Sequence, residues 1–68
     1  MNNNLLLRNN LKGFRQAKWL SQEELARLVG TTRQTIISIV KNFFNPSAKL
    51  ALLLCIALEC RFEELFFF

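Results

Sequence analysis

The sequence predicts a small all-α domain of five helices, and three observations support this fold class. With 68 residues, of which 51% are hydrophobic, the chain can bury one core and no second one. Glycine and proline are sparse, at Gly13, Gly30 and Pro46, so little interrupts helical structure. Apolar residues recur three and four positions apart, which is the spacing of one helix face. We therefore expect a single domain over residues 1–68.

The first predicted helix covers about residues 5–18, where Leu7, Leu11, Phe14 and Lys18 share a face. Gly13 lies inside this helix and lowers its stability by about 1 kcal/mol.

The second predicted helix starts at Ser21, because Ser21-Gln22-Glu23-Glu24 has the S-x-x-E form of a capping box. Leu25, Leu28 and Val29 form its predicted inner face. Gly30 is expected to end it, since glycine tolerates the left-handed conformation found there.

The third predicted helix begins near Arg33, after Thr31 and Thr32, either of which can cap it through its hydroxyl. Its predicted inward stripe is apolar and consists of Ile36, Ile39, Val40 and Phe43. The remaining positions point outward and comprise Arg33, Gln34, Ile37, Ser38 and Lys41.

Two further helices complete the prediction. Ser47 caps the fourth helix, which runs to Leu58 and is apolar nearly all round, so we expect burial on every side. The fifth covers about Phe62–Phe66 and opens with Glu63 and Glu64, where acidic groups favour the helix dipole.

The net charge of +4 is unevenly distributed. Residues 1–49 hold eight basic and two acidic side chains, whereas residues 50–68 hold one basic and three acidic ones. A basic body with an acidic, apolar tail suits a polyanionic partner, although an ordinary solvated surface would give the same count.

Several classes of function are not expected. The chain has no histidine and its two cysteines, Cys55 and Cys60, lack metal-ligand spacing, so we predict no metal and no cofactor, and buried thiols rather than a disulfide. Without histidine, paired carboxylates in a cleft or a phosphate-binding glycine loop, we predict no enzyme activity and no small-molecule substrate.

Localisation is predicted from two segments. The N-terminal Met-Asn-Asn-Asn lacks the basic region of a secretory signal, and the longest uncharged apolar run, Leu50–Leu58, is shorter than the roughly 20 residues that cross a bilayer. We expect a cytoplasmic protein with no membrane partner.

Two short helices joined by about three residues, with a polar outer face on the second, predict a helix-turn-helix over Ser21–Lys41. Four parts of the sequence carry a family resemblance: Leu-Ser-Gln-Glu-Glu-Leu-Ala at 20–26, Gly30, Thr32-Arg33-Gln34-Thr35-Ile36 and Asn45-Pro46-Ser47. They resemble the lambda-repressor-like (Cro/C1, XRE) family of transcriptional regulators, and above all its short members that consist of this domain alone. The resemblance extends from about Leu11 to Phe66.

The resemblance implies that the third helix reads the major groove of double-stranded DNA, while Gln22 contacts the phosphate backbone. Side-chain chemistry agrees, since Arg33 can pair with guanine and Gln34 with adenine. Lys41, Asn42 and Lys49 fall where the family approaches the sugar-phosphate backbone. The full set of predicted DNA-binding residues is Gln22, Thr32, Arg33, Gln34, Thr35, Ile37, Ser38, Lys41, Asn42 and Lys49.

For Ile37 two interpretations stay open: contact with a thymine methyl group, or a tolerated surface isoleucine.

Three residues depart from the family pattern. Val40 replaces a glutamate that commonly pairs with the residue matching Arg15, so that ion pair cannot form. Phe43 replaces a residue that is usually basic or polar, which removes one expected phosphate contact. Glu59 replaces a glycine that commonly ends the fourth helix, and we expect the turn into Cys60 to be strained or shaped differently.

The C-terminal residues 50–68 offer more apolar surface than one small core can cover, which predicts a homodimer. Two-fold symmetry would set two reading helices about 34 Å apart on a palindromic site. The predicted interface residues are Leu53, Ile56, Leu65, Phe66, Phe67 and Phe68. A frayed chain end is the alternative interpretation of the phenylalanine tail.

The sequence thus predicts a sequence-specific DNA-binding regulator that acts as a repressor. The competing interpretation is a protein-interaction module of the antitoxin or anti-repressor type on the same fold. The apolar residues Ile37, Val40 and Phe43 give that alternative some support.

Overall fold

The computed structural model describes residues 6–68, and over that range the all-α fold of five helices is confirmed. The helices are α1 Leu11–Ala17, α2 Gln22–Val29, α3 Arg33–Val40, α4 Ala48–Leu58 and α5 Phe62–Leu65. The N-terminal Met-Asn-Asn-Asn and the predicted helix start at residue 5 lie outside the described residues.

One hydrophobic core serves all five helices. Leu25 of α2, Ile36 of α3 and Leu54 of α4 are each fully buried at its centre. Leu11 from α1 and Leu65 from α5 close its two sides and are also fully buried. The core therefore fixes α3 against α2 and leaves one face of α3 outside.

The first helix is shorter than predicted, because residues 8–9 form a strand instead. Strand β1, Arg8–Asn9, pairs antiparallel with β2, Phe66–Phe67, in the register Arg8 to Phe67 and Asn9 to Phe66. The Asn9 side chain accepts a hydrogen bond from the Leu11 backbone N–H at 3.1 Å. Asparagine competes with the helix by such local bonds, so α1 starts only at Leu11.

The strand pair also overturns the interpretation of the phenylalanine tail as a frayed end. Phe66 is 3% exposed and belongs to the core, and α5 stops at Leu65 because Phe66 adopts an extended conformation. The Arg8 guanidinium lies 5.2 Å from the centre of the Phe67 ring and also donates to the Phe68 carbonyl. Both ends of the described chain are thus held together.

Helices α1 to α4 end in the same way, with one residue in the left-handed conformation followed by a hydrogen bond back into the helix. After α2 this residue is Gly30, with φ of 74°. After the others it is Trp19 (φ 58°), Asn42 (φ 62°) and Glu59 (φ 54°). The strained turn predicted at Glu59 is therefore confirmed, and Trp19 shows the same strain.

Three predicted burial patterns are wrong. Leu28 is 62% exposed, because the buried face of α2 is centred on Leu25, Ala26 and Val29 and Leu28 lies at its margin. Phe43 is 80% exposed, since the helical spacing no longer applies beyond the left-handed residue that follows α3. In α4, Ile56 is 72% exposed, so burial on every side is not reached within one chain.

Across residues 6–68 the longest helix is α4, with 11 residues, and none of the helices is long and apolar enough to cross a membrane.

Candidate nucleic-acid interface

The capping box predicted at the start of α2 is present. The Ser21 hydroxyl accepts from the Glu24 backbone N–H at 3.0 Å, and the Ser21 backbone N–H donates to Glu24 Oε1 at 2.8 Å. That second bond lowers the pKa of the Glu24 carboxyl below its usual value. Gln22 is the first residue of α2 and is half-buried there.

The turn between α2 and α3 is short and fixed by hydrogen bonds. The Thr31 backbone N–H donates to the Ala26 carbonyl at 2.9 Å, which the left-handed Gly30 makes possible. Thr32 caps α3, because its hydroxyl accepts from the Thr35 backbone N–H at 3.2 Å. The two threonine hydroxyl oxygens lie 3.0 Å apart, so each already has a partner within the chain.

The outward face of α3 carries the predicted reading residues. Arg33 and Gln34 occupy its first two positions and are exposed. Thr35, Ile37 and Ser38 follow and are half-buried. Buried Ile36 and Ile39 hold the opposite face against the core, which orients Arg33 and Gln34 outward.

Positive charge around α3 is not neutralised by acidic groups. No aspartate or glutamate stands between Glu24 and Glu59, whereas Arg27, Arg33, Lys41 and Lys49 do. Within residues 6–68 the ion pairs join Lys18 to Glu59 at 2.8 Å, Arg61 to Glu63 at 3.3 Å and Arg61 to Glu64 at 3.6 Å. None of these pairs includes a residue of α3. The hydrogen bond from Lys18 lowers the pKa of the Glu59 carboxyl.

Lys49 lies closer to the helix-turn-helix than its position in α4 suggests. It lines a cleft with Gly30 and Thr31 of the turn and with Ser47, which caps α4 by accepting from the Leu50 backbone N–H at 3.2 Å. The fold thus brings the Lys49 side chain beside the turn that leads into α3.

Asn42 has a structural role that sequence reasoning missed. It is the left-handed residue after α3, a conformation that asparagine tolerates well. Its side-chain oxygen accepts from Asn9 Nδ2 at 3.2 Å, and the same Nδ2 donates to the Ile39 carbonyl at 2.9 Å. Strand β1 therefore holds the end of α3, a contact between distant segments that no local pattern could indicate.

Arg15 lacks the glutamate partner that is common in the family, because Val40 stands in its place, and its guanidinium bonds to the backbone instead. Its Nη1 donates to the Leu20 carbonyl at 2.6 Å, while Nε is buried with no hydrogen-bond partner in the described part of the chain. Val40 packs against the core. The guanidinium therefore braces the turn between α1 and α2.

Two aromatic residues beside the reading face were not predicted as site residues. Phe43 and Phe44 are 80% and 47% exposed, and they line one cleft together with polar positions of the reading edge. Those polar positions are Thr32, Gln34, Thr35 and Ser38. Two adjacent phenylalanines shortly before Pro46 could have indicated an exposed aromatic pair in a loop. The helical spacing instead predicted that the side chain of Phe43 points to the core.

The six predicted dimer residues differ in exposure, and Ile56, Phe67 and Phe68 are the exposed ones. Leu65 is fully buried and Phe66 is 3% exposed, so these two belong to the chain's own core and not to a surface. Leu53 is half-buried and lines the cleft beside the α2–α3 turn. Ile56 is exposed, as is Leu52 one turn earlier, which the prediction missed.

Ile56 and Leu52 share a shallow apolar cleft with Cys55 and Cys60 at the end of α4. Both cysteines are free, and burial raises the pKa of each thiol, so both are protonated at neutral pH.

Helices α2 and α3 are joined by a short turn with the left-handed Gly30, and α3 is capped by Thr32. The second of the two helices exposes Arg33 and Gln34. This arrangement defines a helix-turn-helix protein. The sequence profile of the helix-turn-helix family matches residues 11–65. The chain belongs to this family, in its lambda-repressor-like (Cro/C1, XRE) branch of transcription regulators.

Curated relatives agree. The chain is 39% identical over 62 residues to an uncharacterized HTH-type transcriptional regulator of Archaeoglobus fulgidus, covering 91% of this chain and 89% of that one. It is 40% identical over 60 residues to the uncharacterized HTH-type transcriptional regulator YgzD of Bacillus subtilis, covering 88% and 91%.

Solved structures show the same fold. The restriction-modification controller protein C.AhdI of Aeromonas hydrophila superposes with a TM-score of 0.74 at 37% identity, over 79% of this chain and 82% of that one. A hypothetical transcription factor, NHTF, from Neisseria gives a TM-score of 0.75 at 29% identity, over 81% and 62%.

Proposed function

We propose that this chain is a sequence-specific, double-stranded DNA-binding regulator of transcription. It reads the major groove with α3, acts in the cytoplasm as a homodimer on a palindromic operator, and represses. The observation that carries the proposal is the pair Arg33 and Gln34, exposed at the start of α3 in a stretch of the chain, residues 25–58, that has no acidic residue.

Each reading residue has a chemical partner in the groove. Arg33 can donate two hydrogen bonds to O6 and N7 of guanine, and Gln34 can pair with N6 and N7 of adenine, each worth roughly 1–3 kcal/mol of discrimination. Ser38 lies one turn after Gln34 and contributes a hydroxyl to the same edge.

The hydroxyls of Thr32 and Thr35 serve mainly to fix the start of this helix, since each already has a partner. Ile37 is half-buried beside them and presents an apolar contact to the groove.

Phosphate contacts would position the reading helix. Lys41 follows α3 and Lys49 flanks the α2–α3 turn, both exposed and without an acidic partner in the described chain. Gln22 and Asn42 remain candidates for the same work at the start of α2 and the end of α3.

The dimer interface that we propose uses the exposed side of α4 and the end of the tail. Leu52 (56% exposed) and Ile56 (72% exposed) form its centre, and Phe67 and Phe68 are exposed beside β1. Burying such a patch between two copies would remove apolar area from water at about 25 cal/mol per Å².

Selection of binding sites from random duplex DNA tests this function directly. We expect the selected sites to contain two half-sites related by two-fold symmetry. Arg33→Ala should lose roughly 10-fold or more of the discrimination between bases at one base pair of each half-site. Lys41→Ala is the matched control: it should weaken all sites alike and lower the slope of log K against log salt by about 0.9 per phosphate. A protein that binds no duplex but forms a salt-insensitive 1:1 complex with another protein would favour the interaction module instead.

The oligomeric state and the regulatory sign need separate measurements. Sedimentation should give a dimer at micromolar concentration, and Ile56→Glu should dissociate that dimer. A monomeric wild-type chain would refute the interface.

Expression from a reporter promoter that overlaps the selected site should fall when the protein is present. A rise in expression would refute repression.

A further inference from the structure

The backbone of Phe43 is held by a hydrogen bond, whereas its phenyl ring is exposed to solvent. Its backbone N–H donates to the Ser38 carbonyl at 2.9 Å, directly after the left-handed Asn42. In this type of helix ending the residue at the Phe43 position usually packs its side chain on the last helical turn. Here the ring is 80% exposed, so it is held in place without that packing.

Phe44 extends the same apolar surface and is 47% exposed. The two rings share a cleft with Gln34 and Ser38, which lie one turn apart on α3. The aromatic pair thus forms one end of the edge that carries the reading residues. A ligand lying along Gln34 and Ser38 meets the rings next.

We propose that Phe43 and Phe44 contact the DNA duplex itself, through apolar groups of a nucleotide: the deoxyribose carbons or a thymine methyl. This inference rests on the function proposed above and adds an apolar contact to its polar ones.

The surroundings of the rings favour DNA as their occupant. Lys41 precedes the rings and Lys49 follows them in the chain, and no acidic residue stands between Glu24 and Glu59 to repel phosphates. The cleft also includes the polar side chains of the reading edge, so its walls suit an edge with both polar and apolar groups.

An apolar contact of this kind has a recognisable signature in salt titrations. Binding through phosphates releases counterions and falls steeply with salt, whereas burial of a phenyl ring releases none. Phe43 therefore contributes affinity without contributing to the salt slope. A basic residue at the same place would do the opposite.

The test measures affinity for a duplex selected by the wild-type chain, as a function of salt. Phe43→Ser should lower affinity roughly tenfold at every salt concentration, leaving the slope unchanged. Phe43→Lys should steepen the slope by about 0.9. Phe44→Ser is the second variant, and Leu28→Ser is the control, since Leu28 is 62% exposed on α2 in a different cleft.

Substitution of uracil for thymine across the half-site separates the two apolar sources. A methyl contact loses affinity at one position for wild type only, whereas a deoxyribose contact is indifferent to uracil. Equal affinity of wild type, Phe43→Ser and Phe44→Ser, all folded by circular dichroism, overturns the inference and leaves the proposed function intact. If the wild type binds no duplex, both the proposed function and the inference are refuted.

Discussion

Replacing Trp19 by glycine should stabilise the protein. Trp19 follows α1 in the left-handed conformation, with φ of 58°, and its side chain is 93% exposed. The Trp19 ring therefore buries little apolar area, while the Cβ atom of Trp19 is sterically unfavourable in the left-handed conformation. The hydrogen bonds of the turn, from Trp19 N–H to Gln16 at 3.0 Å and from Leu20 N–H to Arg15 at 3.2 Å, come from the backbone and survive the change.

The magnitude follows from two opposing terms. A left-handed residue with a Cβ costs roughly 1–2 kcal/mol, whereas glycine costs about 0.5–1 kcal/mol in lost chain entropy. The difference predicts a gain of about 0.5–1 kcal/mol for Trp19→Gly. In a domain of this size that corresponds to a rise in Tm of about 2–8 °C.

Thermal unfolding followed by far-ultraviolet circular dichroism is the suitable assay, since Trp19 is the single tryptophan and its fluorescence is lost in the variant. Protein concentration must be equal in all samples, because association shifts Tm. Trp19→Ala is the matched control, which removes the ring and retains the Cβ. A Trp19→Gly variant no more stable than Trp19→Ala would refute the assignment of strain to this residue.

Three further predictions concern the ends and the core of the helices. Glu59→Gly relieves similar strain but loses the exposed ion pair with Lys18, so the free energy of unfolding should change little in urea titrations. In a Lys18→Ala background, where the ion pair is already absent, the same substitution should raise it. The pKa of Glu24 is lowered in the folded state, so the stabilising effect of its carboxylate is present above pH 4.5 and is lost as the pH falls through the folded-state pKa. Glu24→Gln should therefore flatten the acid limb of a curve of stability against pH. An unchanged acid limb would contradict the capping box. Leu54→Ala should cost about 2–5 kcal/mol in the same titrations, because Leu54 is fully buried in the core.

The helix boundaries were predictable where a side chain acts on its own backbone. Ser21 and Ser47 cap α2 and α4 as expected, and Gly30 ends α2. The start of α1 was not predictable, because the strand at Arg8–Asn9 exists only through pairing with Phe66–Phe67 at the other end of the chain. Local spacing carries no information about such a partner.

The candidate site divides along the same line. Arg33 and Gln34 were found from their place at the start of a capped helix, and the structure exposes both. Phe43 was misjudged, since the left-handed Asn42 breaks the helical spacing that seemed to turn it inward. The apolar pattern predicts Leu65 and Phe66 at the interface although both are buried in the core, because the pattern alone cannot separate a core residue from a surface one.

The pairing of β1 with β2 has a kinetic consequence. It closes nearly the whole described chain into one loop, so its entropy cost is the largest of any contact and it should form after the helices. Its few hydrogen bonds should also open first, in local fluctuations that hydrogen exchange can follow at Asn10, whose N–H donates to Leu65 at 2.9 Å. Because the Asn9 side chain of β1 also donates to the Ile39 carbonyl, an opening that carries β1 away from the core would release the last turn of α3, so a peptide tag fused near β1 would alter the order of the reading helix from a distance.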